Sequence, residues 1–209
     1  MAVCKASHTT LYKNAMKNKT GRKIQKRWND ALDNGCITAT NEIVDFAFSS
    51  QGQDYYDAAI SLKANGVNGS PYYVLLSLSI ECYLKSIRTK IYWSGSIGVG
   101  VMHEKGHDLL KLFSNLNSKY PKDALYLSNE YQNRYKRDLS SDLARNANVF
   151  TNQRYPYKAD HSIPQPDRGF WHPECTEETE LDNYTYIDIT ALETVAVFLH
   201  EELTFTTNY

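Results

Sequence analysis

The sequence predicts an all-α protein, an up-and-down bundle of roughly four to six helices with an irregular, Pro-containing excursion before the last one. Three observations carry that expectation. Apolar residues return every three or four positions in one segment after another. Ser, Pro and Gly stand where such segments should start and stop. No segment alternates apolar and polar residues beside a turn signal, as a half-buried strand would. At 209 residues, 42% apolar and 22% charged, the chain has the composition of a globular protein with one sizeable core.

Residues 1–19 lack apolar periodicity and read as an arm. From Thr20, Ile24, Trp28 and Leu32 recur every four residues, and Gly35 follows as a stop. A second helical segment is expected from about Thr40 to Phe48, through Ile43, Val44, Phe46 and Ala47. A third follows Ser49 or Ser50, with Tyr55, Ala58, Ala59 and Leu62 as its buried stripe and Gly66 at its end. Ser70-Pro71 opens the clearest helix, a capping residue followed by Pro at the first helical position. It is expected to run on to Trp93, with Tyr73, Leu76, Ile80, Leu84 and Ile87 along one side. Glu81 stands one turn before Lys85 on it, the favourable order for an ion pair. Gly95, Gly98 and Gly100 then read as a flexible break.

Leu109, Leu112, Phe113 and Leu116 mark the next helix. Pro121 starts a long one, carried to Phe150 by Leu125, Tyr131, Tyr135, Leu139 and Leu143. Pro156, Pro164, Pro166 and Pro173 make residues 154–183 irregular. The last helix, about Ile187 to Leu203, holds Ile189, Leu192, Val195, Ala196 and Leu199. The chain therefore divides into a basic N-terminal arm with a short helix, residues 1–37, and a helical-bundle domain, residues 38–209.

The net charge of −1 conceals an asymmetry. Lys13, Lys17, Lys19, Arg22, Lys23 and Lys26 crowd the start with no acid among them, whereas the residues after Arg168 carry acids and no Lys or Arg. A basic segment of this kind attracts phosphate backbone, and it also suits the acidic tail of the same chain or of a second copy. The 16 Tyr suit half-buried positions and contact surfaces. The N-terminus has no apolar core like that of a signal peptide, and Tyr72–Leu84 is broken by Ser77, Ser79 and Glu81. Cys4, Cys36, Cys82 and Cys175 form no CxxC pair. A cytoplasmic protein with reduced thiols and no membrane span is expected.

His103-Glu104-Lys105-Gly106-His107 spells HExxH, which in zinc proteases sets two His one helical turn apart beside a general-base Glu. Here Gly106 lies inside the motif and the second His opens a helix, so the match reads as coincidence and no metal site is assigned. The glycine run follows a helix instead of a strand and lacks a following Lys-Ser/Thr, so it is no phosphate loop.

Four strings in order carry more information: DYYDAAISL at 54–62, SIECYLKSI at 79–87, GHDLLKLF at 106–113, and Arg154-Tyr155-Pro156. In order and spacing they resemble the HEPN family over roughly residues 50–205. The resemblance implies an all-α bundle, usually a homodimer, that binds RNA or nucleotides or cleaves RNA without metal or other cofactor. It further implies a setting in toxin–antitoxin or anti-phage defence, with an antitoxin or nucleotidyltransferase partner. Catalytic members pair an Arg with a His a few residues on. Arg154 and His161 are the matching candidates here, the Arg to stabilise charge on phosphorus and the His to move protons. Arg145, Asn146, Lys158, Glu81 and Lys85 are the candidate RNA- or nucleotide-binding residues. Tyr155 and Pro156 depart from the pattern, so binding is the leading expectation and ribonuclease activity the second. A module that only dimerises or holds a partner is the third. If Arg154 serves structure instead, its expected partner is a carboxylate such as Glu81.

Overall fold

The segment that opens at Ser70-Pro71 forms the central helix of the computed structural model, which describes residues 29–154 and 187–204. Pro71 lacks an N–H that the first helical turn would leave unbonded anyway, so the helix starts there without loss. From Leu76 to Ser86 it is buried on nearly every side. The expected Pro-containing excursion lies outside the described residues, apart from Arg154, as do Lys158 and His161.

The all-α expectation is overturned. Alongside seven helices, the described residues hold a three-stranded antiparallel sheet. They form two compact units, one of residues 29–43 and 88–103, the other of 44–87, 104–154 and 187–204.

In the smaller unit a helical turn over residues 29–33 precedes β1 (Thr38–Asn41), β2 (Lys90–Ser94) and β3 (Ile97–Met102). The strands lie in the order β1-β2-β3. Tyr92 faces Ala39 on one side and Gly100 on the other. With Ile37 and Val99 it makes a small core. The helix expected to reach Trp93 stops at Ser86 because Ile87 turns extended. Lys90 to Trp93 then pair as a strand, which their β-branched and aromatic side chains suit. The supposed glycine break is itself a strand. Ser94 pairs with Ile97 across a two-residue turn whose first residue, Gly95, has φ 60°, a conformation that favours Gly in hairpins.

The larger unit is the helical one. Its helices are α1 (Phe46–Ala64), α2 (Ser70–Ser86), α3 (Leu109–Lys119), α4 (Pro121–Tyr135), α5 (Leu139–Arg145), α6 (Val149–Gln153) and α7 (Ile189–Leu203). The helix expected from Thr40 to Phe48 is overturned in its first half, where Thr40 and Asn41 pair in β1. Only residues 46–48 of it are helical, and they run on into the segment expected after Ser49 as one helix. Asp45 caps it, its side chain accepting from the Phe48 N–H. Ser49 instead lies one turn inside, its hydroxyl bonded to the Leu203 carbonyl. The long helix expected from Pro121 to Phe150 breaks into α4, α5 and α6. Lys136 takes a left-handed conformation at the end of α4, and Asp138 caps α5. Leu125, expected on the buried side, is 59% exposed, whereas Tyr131, Leu139 and Leu143 are buried.

Around α2 pack α1, α3, α6 and α7. The α1–α2 contact is close because Gly52 faces the Tyr83 ring and the Ser79 hydroxyl donates to the Gly52 carbonyl. Ile80, Tyr83, Leu192, Phe198 and Leu199 are fully buried between the helices. Among the described residues no helix is long and apolar enough to cross a membrane.

Candidate functional site

Two charged residues sit where α2 is most buried. Glu81 and Lys85 are 5% and 8% exposed, and the Lys85 ammonium lies 2.5 Å from Oε1 of Glu81. A carboxylate taken out of water this far is costly unless every lone pair finds a donor. The other oxygen finds one. Oε2 of Glu81 is 2.8 Å from Nδ1 of His107.

His107 reaches Glu81 from the connection ahead of α3. Gly106, at φ 103°, turns the backbone there, and the next residue, Asp108, caps α3 by accepting from the Lys111 N–H. The Leu109 N–H donates to the Ala147 carbonyl, which ties this helix start to the loop before α6. That tie brings α6 alongside. The Phe150 ring lies 4.4 Å from the imidazole, centroid to centroid, and the Arg154 guanidinium sits 5.2 Å from the Phe150 centroid. The imidazole remains about half exposed, at 48%. Three segments of chain thus set an ammonium, a carboxylate, an imidazole, an aromatic ring and a guanidinium in one row.

Of the candidate residues, Glu81, Lys85 and Arg154 belong to this row. Arg154 does so through a ring contact, while the described partners of the Glu81 carboxylate are Lys85 and His107. Arg145 and Asn146 lie in a different network, at the start of α7. Arg145 is 2.8 Å from Asp188, the residue that caps α7. The Asn146 amide donates to the Asp142 and Asp188 carbonyls. Among the described residues its buried Oδ1 accepts no hydrogen bond. Arg137 grips both oxygens of Asp142 at 2.6 and 2.8 Å, and the Tyr131 hydroxyl donates to the same carboxylate. Burial alone would push the Asp142 carboxyl upward, but the hydrogen bonds from Arg137 and Tyr131 outweigh it and hold it below the usual range. The contacts of Arg145 and Asn146 thus brace the junction of α5 and α7.

His107 is the residue that sequence reasoning did not select, having weighed it only as a metal ligand. Residues 103–108 contain no helical turn, so the HExxH string lacks the geometry that gives the motif its chemistry. Among the described residues no three His, Cys, Asp or Glu side chains converge as a metal would require. The available signal was the string GHD ahead of an amphipathic helix, beside an apolar helix carrying Glu and Lys. That pattern says a His starts a helix, and says nothing of which carboxylate it meets.

No protein-family model matches the chain, and neither a curated protein nor a solved structure matches it.

Proposed function

We propose that the helical unit binds RNA or a nucleotide at the face where His107, Phe150 and Arg154 stand in a row. That row is the observation that supports the reading. Single-stranded RNA is held by side chains that offer flat surfaces to unstacked bases and positive charge to phosphates. An imidazole and a guanidinium, each within contact distance of the same phenyl ring, supply both. Lys85 offsets the charge of the Glu81 carboxylate beneath them.

The wider setting goes with this reading: a cytoplasmic homodimer, of the HEPN kind, in a defence system with an antitoxin or nucleotidyltransferase partner. Light scattering of the purified chain tests the dimer.

Binding is tested by fluorescence anisotropy of a labelled single-stranded RNA. The expected result is salt-sensitive binding that weakens when residues 1–27 are removed. Phe150→Ala and Arg154→Ala should each cost about 1–3 kcal/mol of affinity, the range for losing a base-stacking partner. No binding at about 50 mM salt, where phosphate contacts are strong, rejects the reading. A stable dimer that ignores RNA and nucleotides would indicate a protein-interaction module instead.

A further inference from the structure

The chain contains three Asn-Gly pairs, Asn34-Gly35, Asn65-Gly66 and Asn68-Gly69. Asn is a chemically labile side chain, and a following Gly, with no Cβ, leaves its own peptide nitrogen unhindered for attack on the Asn amide. That nitrogen must reach the side-chain carbon, so the backbone between them has to be free to turn. All three pairs are exposed, and the fold holds them differently.

Two of them close helix ends. Gly66 follows α1 at φ 78°, its N–H bonded to the Lys63 carbonyl, and the next N–H, from Val67, bonds to that of Leu62. Gly35 repeats this after the turn over residues 29–33, at φ 66°, with Gly35 bonded to Leu32 and Cys36 to Ala31. Such a paired closure fixes the glycine nitrogen against a carbonyl. The side-chain amides are held as well. Nδ2 of Asn65 is 2.8 Å from the Ser61 carbonyl, and Nδ2 of Asn34 is 2.7 Å from the Asp30 carbonyl. Asn68-Gly69 stands instead at a helix start. Gly69 precedes α2 with extended backbone at φ −99°. Among the described residues neither its N–H nor the Asn68 side chain makes a hydrogen bond.

We infer that Asn68 is a deamidation site, the one of the three pairs that reacts in the folded protein. The Gly69 nitrogen attacks Cγ of Asn68, a C–N bond closes a cyclic imide, and the amide leaves as ammonia with the Gly69 N–H proton. Water then opens the imide at either carbonyl, giving Asp or isoaspartate, and solvent is the only co-reactant. Either product puts a carboxylate ahead of α2, two residues before Ser70, whose hydroxyl donates to Gln153 of α6. The positive end of α2 favours that charge, so the converted protein should stay folded.

The test follows the full chain by peptide mass spectrometry during incubation at mildly alkaline pH. Asn68 should convert about tenfold or more faster than Asn34 and Asn65, which react only in the fraction of molecules whose helix ends have opened. In urea that unfolds the chain, the three rates should draw together. Gly69→Ala should suppress conversion of Asn68 and keep the fold, since a Cβ there meets nothing within 4 Å and φ −99° suits any residue. Asn68 that stays intact in the folded chain, or that converts no faster than Asn34 or Asn65, overturns the assignment. So does unchanged conversion of Asn68 in Gly69→Ala. A lead for Asn68 that persists in urea overturns the role given to the helix ends.

Discussion

Two histidines in the helical unit each engage Nδ1, with opposite results. His107 meets a buried carboxylate and keeps its ring half exposed. His200, on α7, meets hydroxyls. Its Nδ1 is 2.8 Å from the Tyr83 hydroxyl and 3.1 Å from Oγ1 of Thr204. Its ring lies flat against Tyr56, 4.2 Å between centroids. Burial holds the His200 imidazole below its ordinary value, and the same burial pushes the Tyr83 hydroxyl up to about 12. Nδ1 of His200 shares its proton with neutral hydroxyls inside the packing, whereas Nδ1 of His107 faces a buried carboxylate. The two imidazoles thus differ in partner and in exposure, not in residue type.

The comparison breaks most visibly in stability. His200→Ala removes a stacked ring and one of the hydrogen bonds of the Tyr83 hydroxyl, which keeps Thr204 at 3.2 Å, so urea unfolding should show a loss of about 2 kcal/mol. His107→Ala, at a half-exposed ring whose carboxylate partner keeps Lys85, should cost under about 1 kcal/mol. Equal losses would mean that His107 is a packing residue too.

Gly52→Ala sharpens the same contrast at smaller scale. Its Cβ would stand 3.0 Å from the ring of Tyr83, which is fully buried. Overpacking of this kind costs about 1–3 kcal/mol, offset by about 1 kcal/mol of helix propensity gained on replacing Gly. A net loss near 1 kcal/mol is expected in the urea midpoint. His200 NMR shifts should move with the displaced Tyr83 while those of His107 stay in place.

The smallest effect is on pH dependence. Because the His200 pKa is lowered on folding, the unfolded chain takes up its proton first as pH falls below about 6.5. Stability should therefore decline from there toward the folded pKa, with no such loss above it. In His200→Asn the slope of stability between about pH 7 and 5 should flatten. An unchanged slope would remove His200 from the account.

Much of the helical unit was legible in advance. Asp108 ahead of the 3–4 spacing of Leu109, Leu112, Phe113 and Leu116, and Ser70-Pro71 ahead of α2, are local signals that the fold obeys. The sheet was missed although the cue was present. Lys90–Ser94, Gly95-Ser96 and Ile97–Met102 spell two β-prone runs around a Gly-Ser turn. The apolar periodicity of α2 continues in the sequence past Ile87, and Gly98 and Gly100 read as a break where β3 forms. Within the site, the spacing of Glu81 and Lys85 announced their ion pair, but nothing near His107 announced Glu81, 26 positions earlier.

Periodicity and capping are properties of neighbours along the chain, so the residues alone settled where α2 starts and where α3 and α7 lie. The β1–β2 pairing and the Glu81–His107 contact join segments far apart in sequence, whereas β2 and β3 meet across a two-residue turn. Folding closes those loops only because the helices bury enough apolar surface around α2 to offset the entropy of doing so. Once α2 is enclosed, its carboxylate has few donors within reach, and packing gives it Lys85 and His107.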